Sequence, residues 1–134
     1  MVKSKKVRNA EERRWIIMYL KRKIDQYLQE WKVGENRKPL IVKGARQIGK
    51  TESIRKFGGE NYSSFIEINF VEEPKYKTII EEGYAAADII KNISRIDPDK
   101  KFIPQDTLIL FDELQEFPEI ATSLKFFCQD GRFD

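Results

Sequence analysis

The chain has 134 residues, of which 40% are hydrophobic and 35% are charged, and its formal net charge is +3. This length suits one domain with a sizeable core, and the charge is too small to indicate nucleic-acid binding by itself. No apolar run approaches the ~20 residues of a membrane span, and no apolar signal core follows the basic start at residues 1–6. The single cysteine, Cys128, cannot form an internal disulfide, which fits a cytoplasmic location. The absence of histidine excludes His-based acid–base chemistry and argues against a zinc site.

The first third of the chain predicts a helix over residues 11–31, which Gly34 ends. Apolar residues recur there at helical spacing: Ile17, Leu20, Ile24, Tyr27 or Leu28, and Trp31. We interpret this helix as one that packs on a sheet. Alternatively, its basic residues and the arm at residues 1–14 contact nucleic acid, although interleaved acidic residues count against this.

The next segment reads as strand, loop and helix. Pro39 opens a short apolar run at residues 40–42, and a helix continues through residues 52–57 until Gly58 and Gly59 end it. Between them lies the pattern G-x-x-x-x-G-K-[ST] of a phosphate-binding loop. Its residues are Gly44, Ala45, Arg46, Gln47, Ile48, Gly49, Lys50 and Thr51.

That loop has the chemistry of a nucleotide triphosphate site. The two glycines allow successive N–H groups to turn toward phosphates, and the start of the helix adds unpaired N–H groups and the positive end of its dipole. Lys50 can reach the terminal phosphates, and the Thr51 hydroxyl can ligate the accompanying Mg²⁺.

The middle third predicts one strand followed by helices. Residues 65–70 alternate, with Ile66, Ile68 and Phe70 on one face and polar residues on the other, which indicates an edge or near-edge strand. Pro74 begins a helix that ends near Gly83, and residues 85–95 form another. Turns are predicted at residues 97–99 and 104–106. Strands that alternate with helices favour parallel crossovers and an α/β layered domain.

The last third carries a second chemical motif. Residues 107–111 form an apolar strand that ends in Asp112 and Glu113, at the sheet edge where ligands bind. Asp112 is placed to hold Mg²⁺, and Glu113 can orient or deprotonate the attacking water. Gln115 either senses the γ-phosphate or caps the turn. A helix then starts at Pro118 and runs to Phe127, and its apolar residues are interpreted as core: Leu124, Phe126, Phe127 and Cys128.

Four segments, at residues 37–51, 66–70, 108–115 and 122–127, occur in the same order in one family. From residue 18 to 134 the chain resembles the AAA-family ATP-binding proteins of bacteria and archaea, whose full-length members carry a further C-terminal domain of unknown function. The resemblance implies ATP with Mg²⁺, phosphate and metal roles for Lys50 and Thr51, and a Walker B pair at Asp112 and Glu113. It also suggests that residues 1–17 are a basic extension before a start at Met18.

The sequence also departs from the pattern of this family. In relatives, the segment after residues 129–134 enters a strand with a polar γ-phosphate sensor, followed by a further strand, a lid and usually an arginine. We therefore expect a three-layer α/β/α P-loop core with a mainly parallel sheet, incomplete at its C-terminus and thus a fragment. A missing arginine costs roughly 10³–10⁵ in rate where one is used, so we expect weak or no hydrolysis. Exposed strand edges predict self-association. The alternatives are a nucleotide-binding module without hydrolysis and a nucleic-acid-associated module.

Overall fold

The computed structural model describes residues 23–34, 39–40 and 50–134. The chain divides into two compact units. The first comprises residues 1–35 and 41–57, and the second comprises residues 36–40 and 58–134. The predicted strand at residues 40–42, except Leu40, and the phosphate-binding loop up to Gly49 lie outside the described residues. Among the described residues, no helix combines the length and the apolar character needed to cross a membrane.

The first unit contains the described part of one helix and the beginning of a second. The described part of the first, α1, covers residues 23–33, which confirms the predicted helix there. Of the two alternatives for its apolar face, the structure buries Leu28 and leaves Tyr27 58% exposed. The second helix, α2, spans Lys50–Asn61. The ring of Trp31 on α1 lies 6.5 Å from that of Phe57 on α2, measured between centroids.

The predicted end of α2 is wrong. Gly58 and Gly59 lie inside the helix, which continues to Asn61. A Cβ atom built on Gly58 would lie 2.9 Å from Cγ of Phe65 and 3.3 Å from Cδ2 of Leu108. Gly58 therefore permits a close approach of helix to sheet, and the pair of glycines is not a helix stop.

The second unit is built on a parallel pair of strands. Strand β1 spans Ser64–Asn69 and strand β2 spans Thr107–Asp112. Their register runs from Ser64 opposite Thr107 to Asn69 opposite Asp112. Both strands were predicted, and their parallel pairing confirms the α/β fold class.

The two faces of the sheet meet different helical residues. One face carries the buried core, in which Ile66 and Ile68 of β1 are 2% and 0% exposed. Helix α3, Ala86–Ile96, packs there through Ile89 and Ile93. Because side chains alternate along a strand, Phe65 and Leu108 point to the opposite face, where Gly58 of α2 lies against them. Helical residues therefore contact both faces of the sheet.

The connections contain 3₁₀ turns where longer helices were predicted. Pro74–Thr78 is a 3₁₀ helix, and the predicted helix from Pro118 consists of a 3₁₀ segment, Pro118–Ser123, followed by α4, Leu124–Asp130. Phe127 of α4 is buried, as predicted, but Cys128 is exposed. A single face of so short a helix meets the core, and consecutive residues cannot all lie on it.

The outer edge of β2 is partly covered by the last residue of the chain. The N–H group of Asp134 donates to the carbonyl of Thr107 at 3.1 Å, and the N–H group of Ile109 donates to the carbonyl of Asp134 at 2.8 Å. These two bonds form a parallel bridge between Asp134 and Leu108. The Tyr62 hydroxyl also donates to the Asp134 carboxylate, at 2.7 Å.

Candidate functional site

The carboxyl ends of β1 and β2 coincide at one edge of the sheet. Asn69 and Asp112, the last residues of the two strands, are register partners. Since both strands are parallel, this is the edge at which α/β proteins bind their ligands. The sequence prediction that Asp112 ends a strand at this edge is therefore met.

Asp112 is half-buried and uses one carboxylate oxygen locally. Its Oδ1 accepts the N–H group of Glu113 at 2.9 Å. The other oxygen, Oδ2, accepts no hydrogen bond from the part of the chain that the structure describes. A carboxylate with one oxygen fixed by its neighbour has a defined orientation, and the second oxygen is then suited to bind a cation.

Glu113 has an unusual backbone conformation. Its φ of 58° and ψ of 49° lie in the left-handed region, which costs a residue other than glycine roughly 1–2 kcal/mol. A 3₁₀ turn, Leu114–Glu116, follows directly. The side-chain amide of Gln115 in this turn donates to Oε2 of Glu113. Sequence reasoning proposed a sensor or a turn cap for Gln115 and missed this partner.

Asn69 is a second polar residue at this edge that sequence reasoning left without a role. Its Oδ1 accepts the N–H groups of Val71 at 2.9 Å and Glu72 at 3.0 Å. Asparagine commonly stabilises such a turn by mimicking a backbone carbonyl. Its position at the end of an alternating strand, ahead of a polar segment, was the available signal.

Lys50 and Thr51 are the first two residues of α2, and both are half-buried. The helix start predicted for the phosphate-binding loop is thus present. The remaining residues of that loop, from Gly44 to Gly49, lie outside the described residues. The structure brings Asn69, Asp112, Glu113 and Gln115 together, whereas the approach of Lys50 and Thr51 to Asp112 stays a prediction.

The groups with clearly perturbed titration lie elsewhere in the second unit. Burial raises the pKa of Tyr76 to about 12, and the nearby carboxylates Glu73 and Asp97 add to the effect. Hydrogen bonding to Lys91 lowers the pKa of Glu82, and hydrogen bonding to Arg132 lowers the pKa of Asp130. None of these groups belongs to the strand-end site.

Among the described residues of the strand-end site, the carboxylate of Asp112 has the donor chemistry that fits Mg²⁺. The described residues contain no cluster of three or more candidate metal ligands among His, Cys, Asp and Glu. Mg²⁺ is commonly held by one or two carboxylates, with phosphates and water completing its shell. One oriented carboxylate at Asp112 is what such a site needs from this strand.

Comparison with known proteins identifies the family. The family model described as an AAA domain matches residues 36–134, which is most of the chain. Neither a curated protein nor a solved structure matches the chain significantly. The matched region contains the phosphate-binding motif, both strands and the Asp112–Glu113 pair. The chain therefore belongs to the AAA family of P-loop nucleotide-binding ATPase modules.

Proposed function

We propose that the chain binds ATP with Mg²⁺ and hydrolyses it to ADP and phosphate as an AAA-type ATPase, or as part of one. The observation that carries this proposal is the coincidence of the two strand ends, where Asp112 and Glu113 follow an apolar parallel strand. The phosphate-binding pattern at residues 44–51 supplies the complementary half of such a site.

The phosphate-binding residues act by position and charge. The backbone N–H groups of residues 44–49 and the start of α2 would surround the phosphates, and Lys50 would neutralise charge on the terminal ones. Thr51 and Asp112 would hold the magnesium ion. The bound ion supplies charge neutralisation at the phosphate oxygens.

Glu113 acts on the attacking water. The water oxygen forms a bond to the γ-phosphorus while the bond from that phosphorus to the bridging oxygen of ADP breaks. Glu113 orients the water and accepts its proton, and ADP leaves with the electron pair of the broken bond. The products are ADP and inorganic phosphate, so no other reactant is required.

Turnover by the chain on its own is proposed to be slow. In the group that it resembles, a sensor strand and an arginine contribute to hydrolysis, and the resemblance assigns neither of them within residues 1–134. The N–H and C=O groups along the strand edges would also support self-association. As the single cysteine of the chain, Cys128 cannot form an internal disulfide, and its exposed position fits a reducing cytoplasm.

The test is calorimetric titration of the full chain with ATP, in the presence of Mg²⁺ and again in excess EDTA. We expect magnesium-dependent binding that weakens at least about tenfold in Lys50→Ala, since one lost charge-assisted contact is worth roughly 1.5–3 kcal/mol. Lys56→Ala, which removes an exposed lysine from the same helix, is the matched control and should bind as the unmodified chain does.

Phosphate release measured on the same samples separates the alternatives. Binding without release would favour a nucleotide-binding module that does not hydrolyse. An absence of magnesium-dependent heat from a folded sample contradicts the proposed function altogether.

A further inference from the structure

We propose that Gln115 is a positioning residue that fixes the carboxylate of Glu113 at the carboxyl edge of the sheet. The contact is between the side-chain amide of Gln115 and Oε2 of Glu113. The inference deepens the proposed function and rests on it, because the reaction that Gln115 would serve is the hydrolysis in which Glu113 orients water.

The contact closes a very short loop. The N–H group of Glu116 donates to the carbonyl of Glu113 at 3.0 Å, and that of Phe117 donates to the carbonyl of Leu114 at 3.0 Å. These bonds make the turn that carries Gln115 back toward Glu113. Because the turn already fixes the backbone between the two side chains, little further conformational entropy is lost when they meet.

Hydrogen bonds within this turn hold Glu113 at three of its groups. Its N–H group donates to Asp112 Oδ1 at 2.9 Å, its carbonyl accepts from Glu116 at 3.0 Å, and its carboxylate accepts from Gln115. A left-handed residue other than glycine persists only where its surroundings determine its conformation. The local hydrogen bonds are the surroundings that determine the conformation of Glu113.

Glutamine suits this role chemically. Its amide is uncharged and donates through N–H, so it can orient a carboxylate without accepting the proton that the carboxylate must take. Hydrogen bonds to an ionised acceptor are also stronger than those between neutral groups. A carboxylate that orients water must be held in a single position. Misplacement of a reacting group by about 1 Å can lower the rate roughly a hundredfold.

The first test is independent of turnover and uses the ¹⁵N-labelled full chain without nucleotide. The side-chain amide proton signals of Gln115 are compared in the unmodified chain, in Glu113→Gln and in Glu116→Gln. We expect the signals to move in Glu113→Gln, because the charged acceptor is lost, and to stay in place in Glu116→Gln, which removes a neighbouring exposed carboxylate. Unchanged Gln115 signals in a folded Glu113→Gln sample overturn the proposal.

The second test measures single-turnover hydrolysis of ATP with the protein in excess, so that slow chemistry is detectable. Gln115→Leu should lower the rate of the chemical step about ten- to a hundredfold with ATP affinity unchanged. Gln129→Leu makes the same substitution at an exposed position on α4 and should leave the rate unaltered. Equal or faster hydrolysis by Gln115→Leu overturns the proposal.

Failure of the proposed function gives a different result. If the unmodified chain does not bind ATP, or binds it and releases no phosphate, the ATPase assignment fails. The amide signals then decide by themselves whether Gln115 fixes Glu113.

Discussion

Gly58 and Gly59 are adjacent residues of α2, but Gly58 faces closely packed side chains and Gly59 faces open space. Replacing each of them by alanine therefore separates the effect of helix propensity on stability from the effect of packing. A Cβ atom at position 58 would lie 2.9 Å from the Phe65 ring, whereas one at position 59 meets nothing within 4 Å. Comfortable carbon–carbon contacts are about 3.5–4.0 Å long, so the added methyl group at position 58 is at least about 0.6 Å too close.

The two substitutions share one favourable term. Replacing glycine by alanine inside a helix contributes roughly 0.5–1 kcal/mol. Gly59→Ala should therefore raise the free energy of unfolding by about this amount. Gly58→Ala gains the same term but also forces the Phe65 ring or the helix to move, and such overpacking costs roughly 1–3 kcal/mol. We expect Gly58→Ala to be less stable than Gly59→Ala by about 1–3 kcal/mol.

Urea unfolding of the two variants measures this difference, and thermal unfolding should show midpoints separated by about 4–12 °C. The variant Phe65→Leu completes a double-mutant cycle, since a smaller side chain makes room for the new methyl group. It should recover at least about 0.5 kcal/mol of the loss at position 58. Equal stability of the two alanine variants would refute the view that Gly58 is required by close packing.

Two further predictions concern a buried hydroxyl and the turn after β1. The hydroxyl of Tyr76 is fully buried without a hydrogen-bond partner among the described residues; Tyr76→Phe should therefore raise the free energy of unfolding by about 1–3 kcal/mol, measured in urea. The folded-state pKa of Tyr76 is raised from 10.0 to about 12. The part of the unfolding free energy that depends on a protonated Tyr76 is therefore complete below pH 10.0 and is lost as the pH rises through about 12. The Phe variant should lack that decline. Asn69→Ala should remove the hydrogen-exchange protection of the Val71 amide and lower stability by about 1–2 kcal/mol, whereas Asn69→Asp, which keeps the acceptor oxygen, should preserve the protection.

The strands and helix α3 were predictable because local pattern and burial agree. The alternation at residues 65–70 and the apolar run at residues 107–111 identify β1 and β2 to within a residue. The helix predicted at residues 85–95 likewise matches α3 to within a residue. In β1 and α3, apolar residues recur with the period of the strand or helix and form its buried face.

The errors arise where packing between elements overrides a local signal. Two consecutive glycines normally indicate a helix end, but at Gly58 the missing side chain serves contact with Phe65. Cys128 was assigned to the core because it is apolar, whereas the position of Phe127 in the core directs it outward. Neither outcome can be seen without the position of the neighbouring element.

The strand end at Asp112 was predictable, whereas the contacts around it were not. Motif chemistry identified Asp112 and Glu113, and the register confirms that β2 ends at Asp112, beside the end of β1. The partners Asn69 and Gln115 were not predictable, since their roles depend on which oxygen or N–H group a turn presents to them. Such short-range geometry has no periodicity that a sequence pattern can reveal.

The bridge between Asp134 and Leu108 fixes the register of any residues that would continue along this edge of β2. Asp112 lies four residues beyond Leu108 on β2, and paired parallel strands advance residue for residue. In a continuation of the chain along this edge, the fourth residue after Asp134 would therefore stand level with Asp112. Side chains that stand level on neighbouring parallel strands point to the same face, so a residue at that position would share a sheet face with Asp112.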